Sequence, residues 1–230
     1  IERQLERVAT DARLMPFAES CEENTKAYVD AENELVIKAE NSPLVMPRAD
    51  LALNGLHNLF NAMAAGLSAS ILHVKNSDIR RALSDFEGVE HRLEFVATVD
   101  GVRWINDSKA TNVNSCWYAL ESMPQSRSTV LILGGKDKGN DYSEILPLVR
   151  SKVKAIVAMG LHNEKIMEFF GNEVPAIADT NTLADAVAAA RSFASEGDTV
   201  LLSPCCASFD LFHSYEERGH LFKQAVAGLE

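Results

Sequence analysis

An α/β fold, with a mostly parallel sheet flanked by helices, is the class this sequence predicts. Two observations carry that expectation. Apolar runs at residues 129–133, 153–159, 175–178 and 199–203 alternate with helical patterns starting near Tyr142, His162, Asn181 and Ser214, which is the rhythm of a parallel sheet. Three polar loops, at residues 106–112, 134–139 and 203–210, then fall at the ends of predicted strands, where folds of this class gather their ligands.

Composition sets the bounds. The chain has 230 residues, 47% hydrophobic and 24% charged, which is enough apolar material for one or two ordinary cores, and two domains are expected. A formal net charge of -11 argues against a broad nucleic-acid surface, so any anionic ligand must be held by local groups. Cys21, Cys116, Cys205 and Cys206 show no framework spacing, which points to a reduced, cytoplasmic protein. The most apolar stretch, residues 59–72, is interrupted by Asn61, Gly66 and Ser68, so no membrane span or signal peptide is expected. The first residues read as the middle of a helix, and the chain is expected to be a monomeric piece of something longer.

In chain order, residues 1–54 read as a short helix with Leu5 and Val8 on one face, then strands near 14–17, 27–29 and 34–39. A polar turn at 30–33 suggests a hairpin. From Gly55 the period changes: Leu56, Leu59, Phe60, Met63, Ala64 and Leu67 form a helical apolar stripe. Asn58 and Asn61 stand apart from that stripe on adjacent turns, where two amides could read donors and acceptors on a planar base. Capping and solvated roles for them stay open. A second helix is expected over 78–86, capped by Ser77 and stopped by Gly88.

A strand at 93–99 is joined through the hairpin signal Asp100-Gly101 to a second at 102–106, and the domain boundary is placed beside it, giving 1–92 and 93–230. Arg92, at that junction, could reach a phosphate with its planar fork, or could form only a surface ion pair. Val113, Cys116, Trp117, Leu120 and Met123 then mark one helical face that Pro124 stops. Thr111 or Asn112 can cap this helix. Its free amides would lie beside Asp107, Ser108 and Lys109, a combination suited to phosphate or carboxylate.

Gly134-Gly135-Lys136-Asp137-Lys138-Gly139 could let the backbone approach a ligand while Lys136 or Lys138 supplies charge, or could be only a turn; it is not a P-loop. Ser208 could donate to a carboxylate, and no His-Asp pair is placed to make it a nucleophile. Ser214 with Glu217 makes a capping box before Leu221, Phe222, Ala225 and Val226. No histidine pair has helical metal-ligand spacing, so no metal site is expected within the chain.

Five words carry a family resemblance: Gly-Leu-His-Asn-Leu-Phe-Asn-Ala at 55–62, Glu-His-Arg-Leu-Glu at 90–94, Asn-Asp-Ser-Lys-Ala-Thr-Asn at 106–112, Leu-Gly-Gly-Lys-Asp-Lys-Gly at 133–139 and Ser-Pro-Cys-Cys-Ala-Ser-Phe-Asp at 203–210. In that order they resemble the Mur ligase family, and the third word resembles its D-glutamate-adding branch. The resemblance implies a Rossmann-like amino-acid-binding domain at 93–230, preceded by the back part of a mixed α/β ATP-binding domain at 1–92. It implies ATP-dependent peptide-bond formation in peptidoglycan assembly, through an acyl-phosphate, from UDP-N-acetylmuramoyl-L-alanine and D-glutamate. By the same resemblance Asn58, Asn61, Arg92 and Asp107 would bind the nucleotide. Lys109, Thr111, Lys138, Ser208, Phe209 and Tyr215 would surround D-glutamate, with Lys109 also catalytic. Magnesium ligands would lie outside this chain, which alone is expected to be inactive. The chain departs from the family's common form at Lys136-Asp137, Cys205 and Tyr215. A folylpolyglutamate-synthase-like ligase, or a nucleotide-binding module without chemistry, remain as alternatives.

Overall fold

The computed structural model describes residues 12–39, 42–53 and 55–229. The expected helix around Leu5 and Val8 lies outside them. The chain forms two compact units that divide between Glu87 and Gly88.

In the first unit four short strands, β1 (Phe17–Ser20), β2 (Ala27–Val29), β3 (Glu34–Ile37) and β4 (Leu44–Pro47), form a sheet in that order. β1 runs parallel to β2, and the other pairs are antiparallel. The turn between β2 and β3 is held by the Asp30 carboxylate, which accepts from the amides of Glu32 and Glu34 at 3.1 and 2.9 Å, while Asn33 takes a φ of 61°. Helices α1 (Leu56–Ile71) and α2 (Asn76–Ser84) cover one face of the sheet. Leu59, Met63, Leu67 and Ile79 pack there against Leu35, Ile37, Leu44 and Met46. Gly66 permits the close approach: a Cβ on it would stand 2.3 Å from the Ile37 side chain. Two sequence expectations shift. α2 starts at Asn76 with Lys75 at its N-cap, so Ser77 lies inside the first turn and does not cap it. β1 begins at Phe17 where a strand ending at that residue was expected, because its side chains are mostly exposed and leave no alternating apolar trace.

The second unit is built on a six-stranded sheet of order β5-β6-β10-β7-β8-β9. Its strands are β5 (Glu94–Val99), β6 (Val102–Asn106), β7 (Thr129–Gly134), β8 (Val153–Met159), β9 (Ala176–Thr180) and β10 (Thr199–Cys205). Only β5 is antiparallel to its neighbour, through the Asp100-Gly101 turn, where both residues have positive φ (52° and 74°). Helices α3 (Val113–Glu121), α4 (Leu146–Lys152), α5 (Glu164–Phe170), α6 (Leu183–Phe193) and α7 (Tyr215–Ala227) follow the strands. Alternate residues of the central strands feed two cores. Leu131, Leu133, Ile156 and Leu201 meet Cys116, Leu120, Val149 and Phe170, whereas Val130, Ile132, Val200 and Leu202 meet Val187, Ala190, Phe222 and Val226. Burial on both faces explains why these strands read as continuous apolar runs.

β10 inserts between β6 and β7, which are consecutive in sequence. The crossover through α3 therefore jumps one place in the sheet. As β6, β10 and β7 are parallel, the three loops that leave their carboxyl ends open on the same edge, at the point where connections diverge to either side.

Candidate functional site

The loop after β6 is fixed by its own helix. Asn112 is the N-cap of α3, its side-chain oxygen accepting from the Ser115 amide at 2.8 Å. Asp107 and Ser108, just before it, are buried. The Asp107 carboxylate accepts from the Leu93 amide at 3.2 Å and from the Ser203 hydroxyl at 2.8 Å, tying the start of β5 and the end of β10 to this loop. Burial pushes its pKa from 3.8 up to about 7, against the opposing pull of those two donors and of the Arg92 and Arg218 charges.

The loop after β10 is sewn to its neighbours on both sides. Lys136 N donates to Ala207 O at 2.8 Å, and the Asn140 side chain donates to Cys205 O at 3.1 Å. On the other side Arg218 of α7, fully buried, donates from Nε to Ser108 Oγ at 3.0 Å, from Nη2 to Ser108 O at 2.7 Å and from Nη1 to Cys206 O at 3.2 Å. Burial pulls this guanidinium down to about 10, which still leaves it cationic at neutral pH. α7 itself starts at the Ser214 cap, whose hydroxyl accepts from the Glu217 amide at 3.1 Å. The capping-box expectation is met on this side, while the Glu217 carboxylate accepts from the His213 amide, one residue earlier than the cap.

Between these loops lies a cavity of about 270 Å³ lined by Thr111, Lys138, Ala207, Ser208, Phe209, Ser214, Tyr215 and Glu216. Five residues singled out in the sequence thus share one hollow. Lys109 joins them at one remove: its Nζ lies 3.2 Å from Tyr215 Oη and 5.1 Å from the centre of that ring. Ser208 is buried, and Phe209 is 65% exposed at the edge. Thr111 precedes the start of α3 and Ser214 caps α7, so the positive ends of two helices reach the hollow together with Lys138, while Lys109 stands behind Tyr215. Such an arrangement suits a small molecule with more than one carboxylate.

Asn58 and Asn61 sit elsewhere, in the first unit, lining a separate cavity of about 290 Å³ with Leu51, Leu53, Ala62, Ala65, Ala82, Leu83 and Phe86. Apolar walls with two amides fit a flat heteroaromatic ring. Arg92 is exposed beside the Asp107 carboxylate.

Glu90, His91 and His220 bring a carboxylate and two imidazoles within 4.8 Å of one another. The hydrogen bonds of His91 do not suit a metal. The Asn106 amide nitrogen donates to His91 Nδ1 at 3.0 Å and its oxygen is taken by the Ser108 amide at 3.1 Å, so the neutral imidazole carries its proton on Nε2, the atom that would face an ion.

Sequence reading missed Arg218, whose Glu-Glu-Arg setting looks like a solvated helix face, and it missed Asp137 as an organiser of its own loop. Only the tertiary fold shows that these polar groups turn inward.

A model of the Mur ligase glutamate ligase domain matches residues 91–206. The chain belongs to the Mur ligase family. Among curated Mur ligases, the UDP-N-acetylmuramoylalanine-D-glutamate ligase of Bacteroides fragilis is 56% identical over 230 residues, all of this chain and 51% of the relative. The chain spans about half the length of the curated relatives it matches. Its fold is shared with the pseudomurein peptide ligase type C of Methanothermus fervidus, with TM-score 0.64 and 15% identity over 90% of this chain and 42% of that one. It is shared as well with the Mycobacterium tuberculosis folylpolyglutamate synthase complexed with ADP, with TM-score 0.63 and 15% identity over 88% of this chain and 48% of that one. Within the Mur ligase family the matched region ends on β10 and its following turn, so it includes the first two of the three loops that build the hollow.

Proposed function

We propose that this chain is part of an ATP-dependent ligase that joins D-glutamate to UDP-N-acetylmuramoyl-L-alanine, and that the hollow at the carboxyl ends of β6, β7 and β10 receives D-glutamate. The observation that carries the reading is the convergence of Thr111, Lys138, Ser208, Phe209 and Tyr215 on one cavity, with Lys109 held against Tyr215. Identity of 56% over the whole chain to a ligase named for D-glutamate supports it.

A dicarboxylic amino acid places two negative charges about one short carbon chain apart, and Lys138 in the hollow, Lys109 beside Tyr215 and two helix ends answer that demand in an otherwise acidic molecule. Lys138 and Ser208 hold the substrate's carboxylates, Thr111 adds a hydroxyl, and the aromatic faces of Phe209 and Tyr215 border the aliphatic segment. Fixing both carboxylates leaves the amino group as the free nucleophilic end. In the first unit Asn58 and Asn61 fit an adenine edge; in the second, Arg92 is exposed and suits a phosphate, whereas the expected ribose role of Asp107 meets a buried carboxylate already taken by Leu93 N and Ser203 Oγ. ATP, with magnesium, would supply the phosphoryl group that activates the carboxylate of UDP-N-acetylmuramoyl-L-alanine, the acyl donor, with ADP leaving; the amino group of D-glutamate would then displace phosphate. The two lysines hold the incoming amino acid in place for attack.

The test is titration of D-glutamate into the full-length ligase carrying Lys138→Ala or Ser208→Ala, with steady-state kinetics alongside. Each variant is expected to lose about tenfold or more in D-glutamate affinity, the scale of one charge-assisted hydrogen bond. Unchanged affinity and turnover in both would remove D-glutamate from this hollow. The folylpolyglutamate-synthase reading rests on fold alone, and is separated by ADP release with a folate and L-glutamate in place of the proposed pair.

A further inference from the structure

Lys138 stands on a loop of only three residues between two anchors. Lys136 is fixed by its main-chain bond to Ala207, and Asn140 by its side-chain bonds to Cys205 O at 3.1 Å and Cys206 Sγ at 3.2 Å. Between them the Asp137 carboxylate turns inward on its own loop. One oxygen accepts from the amides of Gly139 and Asn140, the latter at 2.9 Å, while the other accepts from Tyr142 Oη at 3.2 Å and Lys165 Nζ at 3.3 Å. Gly139 completes the reversal with a φ of 89°, where no side chain would be welcome.

Lys165, from α5, braces this turn a second time. Its Nζ donates to Asn140 O at 2.6 Å and lies 5.5 Å from the centre of the Tyr142 ring. Neither Asp137 nor Lys165 lines the cavity that Lys138 enters. Burial works to raise the Asp137 carboxyl, yet the Asn140 and Gly139 amides and Lys165 together hold it below the ordinary carboxylate range, so it is a full anion at neutral pH.

We propose that Asp137 is a positioning residue, which folds residues 137–140 so that Lys138 enters the ligand cavity, with Lys165 clamping that fold from outside. The inference rests on the reading of this cavity as the D-glutamate site. A lysine side chain loses much rotamer freedom when it grips a carboxylate, and a backbone already set in the gripping arrangement reduces what binding must still order. The effect belongs to D-glutamate capture and leaves ATP use untouched.

The experiment is steady-state kinetics of the full-length ligase carrying D137A, D137N or K165A, with K138A as the reference. D137A is expected to raise the KM for D-glutamate about 5-fold to 10-fold with kcat and the KM for ATP within about twofold, the pattern of lost substrate binding. D137N keeps an oxygen for the two amides but sets an NH2 donor opposite Lys165 Nζ, so it recovers only part of the loss; K165A falls between D137A and wild type. Raised KM in K138A with unchanged KM in D137A and K165A overturns the inference alone. Unchanged KM in K138A overturns the ligand reading and this inference with it. If D137A does not fold, K165A, whose side chain is half exposed, decides: a KM within 1.5-fold of wild type (a ratio on the order of experimental error) rejects the clamp.

Discussion

Asp107 shows how one buried side chain makes stability depend on pH. Both of its oxygens have donors, Leu93 N and Ser203 Oγ, yet removal from water outweighs them and holds the carboxyl near 7. A folded-state value above the unfolded one of 3.8 means that the native protein keeps a proton the unfolded chain has already released. The stabilisation is full below about 3.8, declines as pH rises, and is gone above about 7. Asp107→Asn keeps one oxygen for Leu93 and can donate to the Ser203 hydroxyl, so it should fold. It is expected to flatten the fall in stability across that window by an amount on the order of a few kcal/mol, read from urea midpoints at pH 4 and pH 7.5. Equal slopes for the two proteins would show that another group titrates there. This titration was invisible in the sequence, where Asn-Asp-Ser-Lys reads as a polar loop. Asn112 was legible as one of two possible caps because a cap needs only its own next three residues.

At the scale of the element, α7 does two jobs with one first turn. Tyr215 O accepts from Ser108 Oγ at 2.7 Å, and Arg218 crosses to Ser108 and Cys206, so the helix start joins two strand ends that are far apart in sequence. The guanidinium meets only neutral oxygens, and each loses its donor if the group is removed. Arg218→Met preserves the apolar stem and is expected to cost about 2–4 kcal/mol in urea denaturation, with Arg218→Lys recovering part. A loss below about 0.5 kcal/mol would mean that water replaces the donors. The parallel strands were legible because they are apolar on both faces, and α3 and α7 because cap and stripe agree. β4 went unread: four residues ending in Pro47, alternating buried and exposed, are too short to stand out from a loop.

For the molecule as a whole, each unit has a core of its own, one around Leu35, Met46 and Met63, the other in two layers around Leu131 and Val200. The stretch 88–230 is therefore expected to fold without the rest, giving a cooperative urea transition and dispersed amide NMR signals; a molten spectrum would count against independent cores. The order of strands reaches further, into the making of the protein. As the chain leaves the ribosome, the β5-β6 hairpin and the β7-β8-β9 layer emerge as separate rafts with a vacant lane between them, and residues 199–205, the last strand of this sheet, then fill it. A chain whose translation stops before β10 thus never joins its rafts and never forms the hollow between their strand ends.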